Sequence, residues 1–379
     1  MAEKKLPKGI TLRKDGRYYW RFVFDGEQYA GYTRTLSEAE KQLGDTKYEV
    51  THGTFLKPDK TTCDEWFNVW ITSYQVKLKD STREHHKAFY YRYFSPTFGK
   101  MRMQLLKPTK IQMWLNEFAK DHGNATINIL FVMLKKMFDC ATAIHLINEN
   151  PFNDAVTIPQ GIERSYKREV LTRQETTLFF SYAENTCYYN LLRFLSLTGM
   201  RVGEALALSW SDVNFDEKTI HIKHTLTYTK EKGYFLGTTK TKKGTRTIKV
   251  SDKVISILNK QKLEQAKQKI RKGAEWVADE GLNELVFTSE TGKPICGRNV
   301  DCSIRRIVKH MQKDGVSIQP FGVHQLRHAF ATRCIEEGMP AKVLSEHLGH
   351  KDIKITMNEY VGVTENDAQI WIDRVTIAL

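Results

Sequence analysis

Residues 9–34 alternate apolar and polar positions in short runs, broken by Asp15–Gly16 and Asp25–Gly26. A period of two with Asp-Gly between the runs predicts antiparallel strands joined by tight turns. The runs are Ile10–Arg13, RYYWRFVF and EQYAGYTR. The period then becomes helical in SEAEKQL, where Ser37 and Glu40 have the spacing of a capping box. The first fifty or so residues therefore read as a three-stranded sheet with one helix. From 59 to 157 the pattern is helical throughout. TCDEWFNVWITSYQ puts Trp66, Val69 and Trp70 on one face, and STREHHKAFYYRYF follows with Ser81 as its N-cap. KPTKIQMWLNEFAKDHG and NATINILFVMLKKMFDCATAIHLI complete a small bundle, and Asn150-Pro151 ends its last helix.

PQGIERSYKRE, at 159–169, is polar, basic and carries Pro and Gly, the composition of a linker. LTRQETTLFF restarts a helix with Thr172 and Glu175 in capping-box spacing. Two helices follow, in YYNLLRFLSLTG and VGEALALSW. Then come β runs, TIHIKHTLTYT, YFLGTTK and TRTIKV, with turns at Glu231–Gly233 and Lys242–Gly244. A long polar helix, DKVISILNKQKLEQAKQKIRK, leads into a helical final third. The predicted architecture is multidomain and mainly α. Residues 1–58 form a small three-stranded β-sheet plus helix, 59–158 a helical domain, 159–169 a linker, and 170–379 a mixed α/β domain.

Composition agrees with a folded chain: 41 % of the 379 residues are hydrophobic and 27 % charged. No apolar run is long enough to span a bilayer. MAEKKLPKG lacks the apolar segment of a signal peptide, so a soluble, cytoplasmic protein is expected. The six cysteines include no C-x-x-C pair, which points to reduced thiols rather than a disulfide framework or a zinc ribbon. The formal net charge of +14 narrows the partners to polyanions, nucleic acid before membrane, since no basic amphipathic anchor is present. Arg13, Lys14, Arg17, Arg21 and Arg34 interleave with Tyr18, Tyr19, Trp20 and Tyr32 on the N-terminal strands. In a basic chain this arrangement suits a sheet that reads a DNA groove.

The candidate chemistry lies in three stretches. FGVHQLRHAFATR carries His324, Arg327 and His328 at i, i+3 and i+4, one face of an otherwise apolar helix. An unpaired buried charge is costly. The stripe therefore calls for an anion, and a phosphate fits the planar donor fork of Arg and the hydrogen bond of His. A zinc site is the rival, with His347 and His350 as further ligands. However, Gln325 stands where a metalloprotease helix has its general-base Glu. LSLTGMRVGEALAL puts Arg201 at the start of a helix, with Glu204 spaced to orient it. SEHLGHKDIKITMNEY supplies His350 and Tyr360.

In this order, TGMRVGEAL, HQLRHAFATR and LGHKDIKITMNEY resemble the tyrosine recombinases, nearest to phage and conjugative-transposon integrases. The resemblance spans the chain and implies a metal-independent, cofactor-free DNA strand transfer through a 3′-phosphotyrosine. In it Tyr360 is the nucleophile. Arg201 and Arg327 hold the non-bridging oxygens, and His350 donates a hydrogen bond to the phosphate. His324 bonds the phosphate and takes a proton role. Lys240, with Lys242 and Lys243 as rivals, is the general acid in a β-hairpin turn. His328 and His347 become packing residues, while Phe321, Leu326 and Phe330 hold the helix against the core. The implied partners are double-stranded DNA at core and arm sites, further copies of the chain (a dimer per site, a tetramer when two sites join), and an accessory directionality factor. The tail TENDAQIWIDRVTIAL docks on a neighbouring subunit or packs in cis. A type IB-like topoisomerase, a non-catalytic DNA-binding protein and a metal hydrolase are the alternatives.

Overall fold

The computed structural model describes residues 6–52, 55, 59–163, 170–239, 244–350 and 352. The chain forms two compact units, Met1–Ser165 and Tyr166–Leu379. As expected, it is mainly helical with a small N-terminal sheet.

The first unit opens with β1 (Ile10–Leu12), β2 (Tyr18–Phe24) and β3 (Glu27–Thr33), antiparallel in that order. Asp25 and Gly26 join β2 to β3 with φ of 50° and 79°. Positive φ at both central residues is the twist that a two-residue hairpin turn requires. Helix α1 (Leu36–Thr51) is capped by Thr35, whose side chain accepts from the Glu38 amide while Glu38 bonds back to Thr35 N. The expected Ser37–Glu40 pair is thus displaced by two residues. The chain leaves β3 at Thr33, Thr35 is still extended, and Ser37 already lies within the first turn. One face of the sheet buries Trp20 with Ile10 and Ala39, and the indole N–H donates to Gln42 Oε1 at 3.1 Å. Gly31 lies opposite Trp20, and a Cβ there would come within 2.6 Å of the indole ring. The other face pairs Tyr19 with Tyr32, with Arg13 over the first ring and Arg17 over the second.

The helical part comprises α2 (Cys63–Val69), α3 (Asp80–Phe89), α4 (Ser95–Phe98), α5 (Pro108–Asp121) and α6 (Asn124–Ala143). Helices α2 and α3 each run on into a wider π turn, Trp70–Tyr74 and Tyr90–Phe94. Their aromatic faces meet: Phe67 stacks on Tyr90 with ring centres 3.7 Å apart. Trp66 and Trp70 are buried as expected, but Val69 is exposed, and Phe67 and Ile71 take the core positions instead. The inward stripe is thus broader than an i, i+3, i+4 reading of Trp66 suggests. Ser81 is not a cap; α3 begins at Asp80, after an extended Lys79. Helix α6 ends at Ala143, before Asn150-Pro151, because His145 turns to a φ of 58°. Asn150 instead shapes the following loop, donating to Asp139 and accepting from the Phe152 amide.

The second unit contains α7 (Arg173–Ala183), α8 (Tyr189–Thr198), α9 (Val202–Leu206), a β region, α10 (Asp252–Lys272), α11 (Gly297–Lys313), α12 (Val323–Glu336) and α13 (Ala341–Leu348). Thr172 and Glu175 form the expected capping box. The β region makes two small sheets: β4 (Val213–Asn214), β5 (Thr219–Ile222) and β8 (Arg246–Lys249) in one, β6 (His224–Thr229) and β7 (Gly233–Thr238) in the other. YFLGTTK and TRTIKV are therefore not the two arms of a hairpin. Strand β7 pairs with β6 and β8 with β5, so residues 239–245 join two sheets. The ends of that connection still meet: the Thr239 and Thr245 hydroxyls are 3.4 Å apart, and Gly244 has no Cβ to collide with Thr239.

Filling the space under the indole should be costly. Gly31→Val is expected to displace Trp20 and cost about 1–3 kcal/mol, as overpacking commonly does. Faster hydrogen exchange of the β2 and β3 amides, with unchanged protection in α6, would confirm it.

Candidate active site

Helix α12 begins at a fixed point. Asp301 Oδ1 accepts from Val323 N at 2.8 Å, satisfying one of the orphan donors of the first turn. Phe321 packs edge-on to Phe179, and Leu326 is fully buried. Within this frame the expected cationic stripe divides. Arg327 is 4 % exposed and turned inward, whereas His324 is exposed and His328 half-buried, their rings edge to face at 4.8 Å.

The inward turn of Arg327 leads to the end of another helix. NH2 of Arg327 donates to Leu348 O at 2.7 Å. On one side Arg246 Nε donates to His347 O at 2.6 Å, and on the other Arg201 NH2 donates to Gly349 O at 3.4 Å. Three consecutive carbonyls at the C-terminus of α13 thus each receive one arginine. The last carbonyls of a helix lack intrahelical partners and form the negative end of its dipole, so cations are favoured there. Gly349, with φ of 67°, is the left-handed residue that ends the helix and turns these carbonyls outward.

Helix α8 ends in the same place. Gly199, with φ of 63°, caps it, and its carbonyl accepts from Arg327 NH1 at 2.8 Å. The His347 ring bonds Thr198 O through Nε2 at 2.9 Å and stacks on Phe330. His347 therefore ties α13 to α8, the packing role expected of it. A Cβ at Gly199 would lie 2.4 Å from Phe330 Cδ1, so close approach requires glycine as much as the positive φ does.

Glu204, 4 % exposed, is bonded from two sides. One oxygen accepts from Arg201 NH1 at 2.8 Å, the other from Arg201 N at 3.1 Å and Arg246 NH2 at 3.0 Å. Burial pushes its carboxyl up, but Arg246 and then Arg201 outweigh that and hold it below the usual carboxylate range. His350, 8 % exposed, follows at once, its amide bonded to Ser345 O. Burial, then the charges of Arg327, Arg201 and Arg246 and the nearby His328, lower its ring to about 4. The ring is neutral at pH 7. Burial also lowers His347, with Arg246 and Arg327 adding to it against the bond to Thr198 O.

The fold thus brings Arg201, Glu204, Arg327 and His350 together, with His324 one turn before Arg327 on α12. Arg13, Lys14, Arg17, Arg21 and Arg34 lie in the other unit, on or beside the N-terminal sheet, where Arg17 forks onto Asp15. Lys240, Lys242, Lys243, Tyr360 and the tail fall outside the described residues. Sequence reasoning missed Arg246. Its signal was present: on β8, Arg246 lies two positions before Ile248 and so on the same face, and their partners Ile222 and Ile220 are buried, so Arg246 occupies a core-facing position of the strand. Among the described residues no group of three His, Cys, Asp or Glu side chains is placed to hold a metal ion, and no helix is long and apolar enough to cross a membrane.

Comparison with known proteins gives this site its class. Residues 169–367 match the phage integrase family, and residues 62–119 its N-terminal SAM-like domain. A tyrosine recombinase XerC-like protein of Caldanaerobacter subterraneus subsp. tengcongensis is 27 % identical over 94 % of this chain and 96 % of its own length. The Tn1549 transposon integrase, solved in complex with a circular intermediate DNA, superposes with a TM-score of 0.69 at 24 % identity, covering 83 % of this chain and 99 % of the other. A lambda integrase tetramer bound to a Holliday junction gives 0.55 at 18 % identity, over 95 % of this chain and 96 % of the other. The chain belongs to the phage integrase family and is a tyrosine recombinase, an enzyme of site-specific recombination in mobile elements.

The depressed His350 ring has a signed consequence. In the unfolded chain a histidine takes up its proton near pH 6.5, whereas in the folded protein His350 does so only near 4. Its contribution to stability is full above about pH 6.5 and is lost as the pH falls toward 4. His350→Gln is expected to flatten stability against pH over that window, leaving the part due to His347. Urea unfolding from pH 4.5 to 7.5 measures it.

Proposed function

We propose that this recombinase cleaves and rejoins DNA strands through a 3′-phosphotyrosine intermediate and so integrates and excises a mobile element. Tyr360 Oη attacks the scissile phosphorus and forms the new O–P bond. The bond to the 5′ oxygen breaks, and that oxygen leaves with a proton from Lys240, with Lys242 and Lys243 as the alternative donors. Attack by a 5′-hydroxyl on the phosphotyrosine rejoins the strand. Arg201 and Arg327 bind the non-bridging oxygens and offset charge on the phosphorane. The neutral His350 donates a hydrogen bond to the phosphate, and His324 bonds it and handles the proton of the tyrosine. A phenol ionises near pH 10, so this proton must be removed for attack at neutral pH.

The observation that carries this reading is the arginine cluster. Arg201 and Arg327 are anchored to adjacent carbonyls, Gly349 O and Leu348 O. A third of the Arg201 side chain remains exposed. Donors fixed in advance need no reorganisation when charge develops, which is what makes such a pair effective. The positive charge for the reaction then comes from guanidiniums.

Residues 59–158 bind the core site, residues 170–379 carry the catalytic side chains, and residues 1–58 bind the arm site through the sheet face that carries Tyr19, Arg21 and Tyr32. Two copies occupy each core site. As in the lambda integrase tetramer on a Holliday junction, four assemble when two sites join, with the tail coupling neighbours and an accessory factor setting direction. The protein works in the cytoplasm, on the nucleoid.

A nicked suicide duplex carrying the end of the element tests the reaction. Incubated in EDTA, the wild type is expected to form a denaturation-resistant protein–DNA adduct, and Tyr360→Phe to bind the duplex without one. An adduct with Tyr360→Phe would assign the nucleophile elsewhere, and an adduct that needs added metal would sink the guanidinium mechanism.

A further inference from the structure

The proposed reaction requires a lysine segment, an arginine pair and a histidine held in one geometry. One side chain outside that set touches the supports of all three. Arg246 is the third residue after Lys243. Its NH1 donates to Gly244 O at 3.0 Å, at the exit of the segment that carries Lys240, Lys242 and Lys243. Its NH2 donates to Glu204 Oε2 at 3.0 Å, and the other oxygen of the same carboxylate bonds Arg201 NH1. Its Nε donates to His347 O, three residues before His350. The side chain is 8 % exposed, and each of its nitrogens already donates to the protein. It is built to hold other groups rather than to bind a phosphate itself. A guanidinium spreads its donors over three nitrogens in one plane, so the single nitrogen of an ammonium cannot take the place of all three.

We propose that Arg246 is a positioning residue for strand cleavage. Through Glu204 it sets the orientation of Arg201, and through the Gly244 and His347 carbonyls it ties the lysine segment and the His350 turn to one guanidinium. The inference rests on the phosphotyrosine reading above.

The test uses the full chain and the same nicked suicide duplex, with single-turnover adduct formation as the readout. Arg246→Lys is expected to keep duplex affinity and a cooperative thermal melt while slowing adduct formation by about 10²-fold, the scale of a small misplacement of catalytic groups. Coupling separates positioning from general stability. In an Arg201→Lys background, where the group held by Glu204 is already altered, adding Arg246→Lys is expected to cost clearly less than the about 10²-fold it costs alone, because the share that acts through Glu204 is already lost and coupled residues are non-additive. Arg246→Met, which fills similar volume without a buried charge, serves as a second variant and should be slowed to a similar degree.

Cleavage by Arg246→Lys at close to the wild-type rate overturns the proposal. So do losses that multiply in the double variant, or failure of both Arg246 variants to melt cooperatively, which would make the residue purely structural. An absent wild-type adduct, or an adduct with Tyr360→Phe, overturns the phosphotyrosine reading instead, and the proposal falls with it.

Discussion

The second unit is organised by the need to hold guanidinium charge inside a protein. An isolated buried cation is very unfavourable, and a buried pair is tolerated only when its remaining donors are satisfied. Here the answer is the C-terminus of α13, where His347 O, Leu348 O and Gly349 O each take one arginine. Because the three arginines come from β8, α12 and the turn before α9, those elements must meet at one point. Helix α8 joins them through Thr198 O and Gly199 O. The two left-handed glycines, Gly199 and Gly349, follow from the same requirement, since each ends its helix so that carbonyls turn toward a donor.

The electrostatics of the site descend from that convergence. Glu204 bonds two guanidiniums, which is enough to keep it ionised despite burial. One carboxylate against two cations leaves the pair of arginines net positive. Burial, reinforced by the same field, keeps the His350 ring neutral. A neutral imidazole both donates and accepts, whereas an imidazolium only donates. Burial first and the cluster's charge second thus set the hydrogen-bonding character of His350, and a neutral ring beside fixed positive charge suits an anion that gains charge during a reaction.

Much of this was legible in the sequence where signals are local. Asp25–Gly26 announced its hairpin, Thr172 and Glu175 their cap, and the long polar helix runs from Asp252 to Lys272 as its pattern predicted. Arg201, Arg327 and His350 were legible through ordered motifs, and the fold places them around the end of α13. What failed was decided by distant partners. Ser37 has the residue type and spacing of a cap, but the end of β3 fixes the start of the helix two residues earlier, at Thr35. TTKTKKGTRTIKV looked like one hairpin because a turn signal is local, while the pairing of β8 with β5 depends on residues far back in the chain. Arg246 was overlooked because, among 58 Lys and Arg residues, one more basic residue reads as surface. Only its place on the same strand face as Ile248 separates it from the rest.

The arginine cluster also reaches the connection between β7 and β8. The two strands belong to different sheets, β7 with β6 and β8 with β5. The described residues on either side of the connection are nevertheless held together. Thr239 and Thr245 meet through their hydroxyls, Gly244 makes room by lacking a Cβ, and Arg246 holds the Gly244 carbonyl. The guanidinium that holds this carbonyl also holds Glu204 and the end of α13. A displacement of the arginine cluster is therefore carried to the Gly244 carbonyl, and a shared guanidinium makes the positions of Gly244, Glu204 and the end of α13 depend on one another.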